Sequence, residues 1–182
     1  MHFRMFVLLF GASAVLLSGC GQTAPPAPAK PAQPAPAVSS LYLDHAQPKL
    51  PTVRLWIGKT EVEAEVCTTI PQVATGLMFR DSIGTNDAML FVFRDADQRG
   101  FYMKNVKFPI ALAYIDSDGA IQQIAQLKAF DTNSVMSESS RIQFVLETAP
   151  DFFARHGIAP GTVVTTPKGR LREVLGPFAT AR

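Results

Sequence analysis

Cysteine, histidine and net charge are all scarce in this chain, and each scarcity closes off a class of function. Only Cys20 and Cys67 occur in 182 residues. If Cys20 is used as argued below, Cys67 is the one thiol left, so no intramolecular disulfide is expected even where disulfides are normal. It is expected to be a small buried hydrophobe. The three histidines are dispersed. His2 lies in the leader, His45 follows a linker, and His156 falls at a predicted helix end that favours positive charge. They do not suggest a histidine metal site or a catalytic triad. Seventeen basic against fifteen acidic residues give +2, or about +1 once Arg4 is removed with the leader, which gives no reason to expect nucleic acid as a partner. No cofactor is expected. No internal repeat is visible.

A long hydrophobic run is also missing. The apolar stretch from Met5 to Leu17 is about a dozen residues, short of the roughly 20 that a spanning helix needs. With Arg4 ahead of it and Leu17-Ser18-Gly19-Cys20 behind it, the stretch reads as a lipoprotein signal peptide over 1–19, ending in a lipobox. The thiol of Cys20 is the nucleophile that accepts the diacylglycerol, and Ser18 and Gly19 leave room for the peptidase. One acyl chain holds only marginally, whereas a multiply acylated cysteine stays on the membrane. The expected partner at Cys20 is therefore a bilayer. Gly21 is not the aspartate that commonly retains lipoproteins at an inner membrane, so the expected location is the periplasmic face of an outer membrane if the cell is Gram-negative.

Residues 20–40 form the lipidated cysteine and a tether of Ala, Pro, Gln, Ser and Thr with Lys30 as its only charge. Such a composition cannot bury a core. In polyproline geometry it reaches at most roughly 60 Å. The remainder, 41–182, suits one compact domain. Val53 to Ile57 and Val62 to Cys67 alternate around Gly58-Lys59, which predicts a hairpin with Glu61, Glu63 and Glu65 toward water. Ile70 to Gly76 is predicted as a short helix with Thr69 as N-cap and Pro71 in its first turn.

Strands are expected at Met89–Phe93, Gly100–Met103, Ile110–Asp116, Ile121–Leu127 and Arg141–Glu147. Pro150 to His156 is predicted as a short helix stopped by Gly157, and Val163–Thr166 and Leu171–Leu175 as a last strand pair. The near-continuous apolar character suggests a closed or two-layered sheet. The fold class is mainly β, a single domain resembling a β-barrel or β-sandwich with one or two short helices.

Several motifs then agree in order. Gly76-Leu77-Met78-Phe79-Arg80, Asp87-Ala88-Met89-Leu90-Phe91-Val92-Phe93, Phe101-Tyr102-Met103-Lys104-Asn105 with Pro109, and Ile115-Asp116 with Gly119 resemble the family called domain of unknown function 192, from about Val53 to Val164. The resemblance implies a compact, mainly β, frequently exported domain with no established activity. Two positions depart from its pattern. Ala88 stands where the family usually has glycine, and Ala111 where it usually has aspartate.

The candidate chemistry lies in the same motifs. Arg80, Asp87, Lys104 and Asn105 interrupt apolar sequence near predicted strand ends, where a ligand pocket would open. Arg80 and Lys104 are candidates to bind an anionic or sugar-like ligand, Asn105 to orient it and Asp87 to pair with Arg80. The alternative is an internal ion pair with turn-stabilising hydrogen bonds. Met78, Met89 and Met103 offer soft thioethers suited to Cu(I), but their apolar neighbours also suit plain core packing. Met136, in a polar loop, is at most an added ligand.

For hydrolysis, Asp87 and Glu147 are the carboxylates of interest, with Ser139 and Ser140 ahead of the Glu147 strand, although no known nucleophile motif is present. Asp116-Ser117-Asp118-Gly119 resembles part of a calcium loop but lacks the later glutamate, so a hairpin turn is expected. The leading expectation is a lipid-anchored, non-catalytic binding or accessory module of the cell envelope. The rivals are an envelope hydrolase or lyase using Asp87 or Glu147, and a Cu(I)-handling protein.

Overall fold

A computed structural model of the chain describes residues 41–178. The leader, Cys20 and the tether lie outside the described residues. Among those described, no helix is long and apolar enough to cross a membrane.

The first hairpin forms as its alternation predicts. β1 (Thr52–Ile57) and β2 (Thr60–Cys67) pair antiparallel across Gly58-Lys59, where Gly58 takes the positive φ that a two-residue turn needs. Helix α1 (Ile70–Thr75) carries Pro71 in its first turn. The Gln72 side chain reaches back to accept the Thr68 and Thr69 backbone N–H groups at 3.0 and 3.1 Å, supplying partners for donors that a helix start leaves free. This helix carries the chain over to β3 (Asp87–Asp97), which lies parallel to β2. Every other strand pairing is antiparallel.

The remaining strands are β4 (Gly100–Phe101), β5 (Ile110–Asp116), β6 (Ile121–Leu127), β7 (Val135–Met136), β8 (Ile142–Thr148), β9 (Val164–Thr166) and β10 (Gly169–Arg170). Among the described residues, eight of the ten strands form one sheet in the order β10-β9-β1-β2-β3-β8-β5-β6, and β4 pairs with β7 in a small second sheet. Helix α2 (Phe152–Arg155), helix α3 (Leu171–Leu175) and a 3-10 turn (Gly176–Phe178) complete the described fold.

The central strands are largely apolar because both of their faces are covered. Along β3, Leu90 and Val92 join one core with Phe144, Leu146, Phe152, Phe153, Leu171 and Leu175. Met89 and Phe91 point the other way, into a second core with Cys67, Met78, Met103, Leu112, Tyr114 and Val145. A strand buried on both sides loses the polar alternation that marks a half-exposed one. Phe101 ties the small sheet to the second core through edge-on contacts with Phe91 and Tyr114 at 5.0 and 6.2 Å.

The sheet is not a closed barrel. Its outer strand β6 meets the lead-in to β9 through a single bridge, Ala120 to Val163, and the hydrogen bonds Ile121 N to Thr162 O, Gly161 N to Ile121 O and Val164 N to Gly119 O. The approach is close enough to require Gly119. Its φ is +91°, and a Cβ there would lie 2.6 Å from the Val164 carbonyl oxygen.

Two further expectations are corrected. Leu171 to Leu175 is helical rather than a strand, because its two buried leucines sit four apart with exposed Arg172 and Glu173 between them. The strand expected at 100–103 ends at Phe101, since Tyr102 turns outward and the Met103 N–H is taken by the Asp131 carbonyl. Its short partner β7 carries too few residues to show a period. The Asp116 segment is the turn expected of it: Oδ1 accepts the Asp118 and Ala120 N–H groups and Oδ2 accepts Gln122 Nε2.

Candidate functional site

The alternation of β2 sends Val62 and Ala64 into the first core and Glu63, Glu65 and Cys67 to the other face. Register then sets their neighbours. Glu63 lies beside Asp87, Glu65 beside Met89, and Met89 in turn beside Glu147 of β8. One row therefore runs Glu65, Met89, Glu147, Leu112 across four strands.

Arg80 is brought over this row by the segment that leaves α1. Gly76 and Phe79 both take positive φ there, and the Phe79 N–H bonds to the Asn105 carbonyl at 2.9 Å. The guanidinium meets Glu65 in two parallel bonds, Nη1 to Oε1 at 2.6 Å and Nη2 to Oε2 at 2.8 Å. Such a fork fixes the orientation of both groups. Glu65 was expected to face water. It is instead largely covered, and the Leu50 N–H adds a third bond at 2.7 Å. Burial opposes its charge, but the bonds from Arg80 and Leu50 and the nearby positive charges outweigh that, holding the carboxyl below its ordinary range. Arg80 is held protonated more firmly in return, first by its bond to Glu65.

Beside this pair opens a cleft of about 270 Å³. Its wall is formed by Arg80, Glu65, Glu63 and Asp87 together with Lys49, Thr52 and Gln47. Three carboxylates face two cations there. Asp87 does not pair with Arg80 as expected, because Glu65 takes both of the guanidinium bonds; its Oδ2 accepts the Gly84 N–H at 3.1 Å and closes a turn.

The surroundings of Glu147 have no local signal in the sequence. It is almost wholly buried, and Oε2 has no hydrogen-bond partner. Burial pushes its carboxyl up to about 8, against the pull of the Arg80 charge. It is thus mostly a neutral acid at pH 7. Ser139 and Ser140 precede the far end of β8, about 20 Å from Glu147 at strand spacing. They assemble no hydrolytic constellation with it.

The other predicted residues lie elsewhere. Lys104 is fully exposed and donates to the Tyr42 hydroxyl at 2.7 Å. Asn105 takes φ +59° in a turn, with Nδ2 3.9 Å from Met78 Sδ. Neither lines the cleft. Met78, Met89 and Met103 are buried together in the second core, and Met136 is exposed. Ala111 packs in the first core, on the face opposite Glu147. His45 bonds Asp44 at 2.7 Å, and His156 caps α2. Among the described residues no three His, Cys, Asp or Glu side chains gather as a metal site.

Cys67 is fully buried, and burial, with Glu147 adding to it, raises its thiol far above the ordinary range. The expected result is that iodoacetamide leaves Cys67 unmodified in the folded protein and alkylates it on unfolding. Rapid labelling under native conditions would contradict the packing described.

The sequence profile of DUF192, described as an uncharacterized ACR, matches residues 53–166. The chain belongs to the DUF192 family. That span holds every strand of the large sheet except the whole of β10 and the first residue of β1, along with Arg80, Asp87 and Glu147. No curated protein matches. Among solved structures, the DUF192 chain is similar to a protein of unknown function from Novosphingobium aromaticivorans, with a TM-score of 0.59 and 26% identity over 64% of this chain and 86% of that one. It is also similar to a protein from Sinorhizobium meliloti described as a candidate transcription regulator, with a TM-score of 0.54 and 28% identity over 63% of this chain and 92% of that one.

Proposed function

We propose that this DUF192 protein is a lipid-anchored component of the cell envelope, held through Cys20, whose domain is a non-catalytic module binding a small polar ligand in the cleft beside Arg80 and Asp87. The observation that carries the reading is the wall itself. Glu65 fixes Arg80 by two bonds, so the polar groups around it are set in place before any ligand arrives. A pre-ordered wall loses less entropy on binding than one that must form.

With Glu63, Glu65 and Asp87 against Lys49 and Arg80, the cleft suits a neutral hydroxyl-rich or an amine-bearing molecule better than an anion. Lys104, away from the cleft, plays no part in this reading. Native mass spectrometry of the protein, purified from membranes without chelator, is the test. An added mass that disappears in Asp87→Asn, at unchanged melting temperature, is expected. A bare mass in repeated preparations would sink the proposal.

The buried neutral acid at Glu147 favours one rival, an envelope hydrolase or lyase, because a carboxyl raised to about 8 is suited to donate a proton. That rival requires the cleft to reach Glu147 when substrate binds. It predicts turnover of a cell-wall saccharide that Glu147→Gln abolishes.

A further inference from the structure

We infer that the turns at 102–107 and 128–131, with the chain entry at Leu41 and Tyr42, form a face that docks on an anionic lipid surface. The inference rests on the proposed anchoring of this chain at Cys20. It starts from Phe130, whose φ is +59° although it is not glycine, and whose side chain is 63% exposed. A bulky residue in the left-handed region is costly, and outliers of this kind gather where function needs them. Burial does little to repay the cost, because most of the residue's surface stays in solvent.

The projection is firmly held. The Phe130 N–H bonds to the Val106 carbonyl at 2.9 Å and the Met103 N–H to that of Asp131 at 2.7 Å. These bonds press the 128–131 turn against the one containing Asn105, itself at positive φ.

The neighbours of Phe130 have the chemistry of a headgroup surface. Tyr102, Lys104 and Lys107 are exposed on the 102–107 turn and Lys128 on the 128–131 turn. Lys107 pairs with Asp81, while Lys104 and Lys128 pair with no carboxylate among the described residues. Asp131 spends Oδ1 on the N–H and side chain of Asn133. Aromatic rings flanked by lysines sit well where acyl chains give way to anionic headgroups.

The position of the chain entry selects a membrane as the occupant. Leu41 is exposed, and the next residue, Tyr42, stacks on Lys104 with the ammonium 4.8 Å from its ring centre. The described part of the chain therefore begins at this face. A tether of roughly 60 Å lets the domain stand away or settle back, and this is the side that settles.

The test is hydrogen exchange on the full chain, purified from membranes and reconstituted into phosphatidylglycerol-rich or phosphatidylcholine vesicles. The amides of 102–107 and 128–131 are expected to exchange more slowly on the anionic vesicles. Lys104→Ala should cut that protection about fivefold. Phe130→Gly should cut it about tenfold while holding or raising the melting temperature, since glycine accepts the left-handed backbone. Equal exchange on the two vesicles, protection that survives Phe130→Gly, or protection that follows protein concentration instead of lipid charge would each overturn the docking face. The intact mass is read separately. Absence of acyl groups on Cys20 would sink the anchoring reading, and the exchange comparison would still decide docking.

Discussion

Replacing Glu147 by glutamine is expected to stabilise the domain at about pH 8 by several kcal/mol and to remove most of its loss of stability between about pH 5 and 8. The sign follows from the carboxyl being raised on folding, from 4.5 to about 8. Between those values the folded chain holds a proton that the unfolded chain has released. Stability from this group is therefore greatest below 4.5, declines as pH rises, and is fully lost above about 8. The gap between 4.5 and about 8, at about 1.4 kcal/mol per unit, comes to roughly 5 kcal/mol. Glutamine cannot ionise, so its urea midpoint should change little over that range. Parallel pH profiles for the two proteins would show that Glu147 is hydrated or paired. Glu65 has the opposite sign: its carboxyl is lowered on folding, so the stability it contributes is present above 4.5 and lost as pH falls through its folded value. Together the two groups place the stability maximum on the mildly acidic side.

Arg80→Met should cost about 3 kcal/mol, near the lower end of the range for breaking a buried ion pair because this one is partly open to solvent. The loss comes less from the missing attraction than from what remains. Glu65 keeps only the Leu50 N–H and stays half-buried with its charge uncompensated. Arg80 also lowers the Glu147 carboxyl, so its removal should push that group higher and widen the alkaline slope. Two controls separate these effects. Arg80→Met combined with Glu65→Met removes both charges and should recover much of the loss. Arg80→Met combined with Glu147→Gln should lose the widened slope while keeping the Glu65 penalty. Denaturant midpoints at about pH 5 and about pH 8 read both. If the single and double replacements were equally unstable, Arg80 would act by packing alone.

Much of this architecture was legible in the sequence because its signals are local. The β1–β2 hairpin followed from alternation around Gly58-Lys59, α1 from Pro71 and the polar residues at its start, and the Asp116 turn from its own side chains. Burial on both sheet faces followed from the unbroken apolar runs Met89–Phe93 in β3 and Ile110–Ile115 in β5. Long-range facts left weaker traces. The alternation of β2 set Glu65 on the face opposite Val62 and Ala64, but nothing local shows that this face is covered too, with Arg80 folding back over it. Lys104 and Arg80 have similar motif surroundings, yet one lies in the open and the other over the sheet, a difference set by Gly76 and Phe79 at positive φ. Glu147 was noticed as a carboxylate, but its burial depends on Met89 and Leu112 arriving on either side. Strand count and apolarity suit a barrel as well as an open sheet, because they do not encode whether the last strands pair along their length.

The strand order also dictates when folding can finish. β1 is among the first elements made, yet it must hold β9, with Trp56 opposite Thr165 roughly 110 positions later. Until that late segment arrives, β1 presents a bare edge on which another chain can template itself. Contacts of this span also slow the search for the native state. A chain shortened before Val164 would lose the partner of β1 and the bridge from Ala120 together. Such fragments should aggregate rather than fold in part, which makes the segment from Val164 onward, about the last tenth of the chain, the step that commits the whole domain.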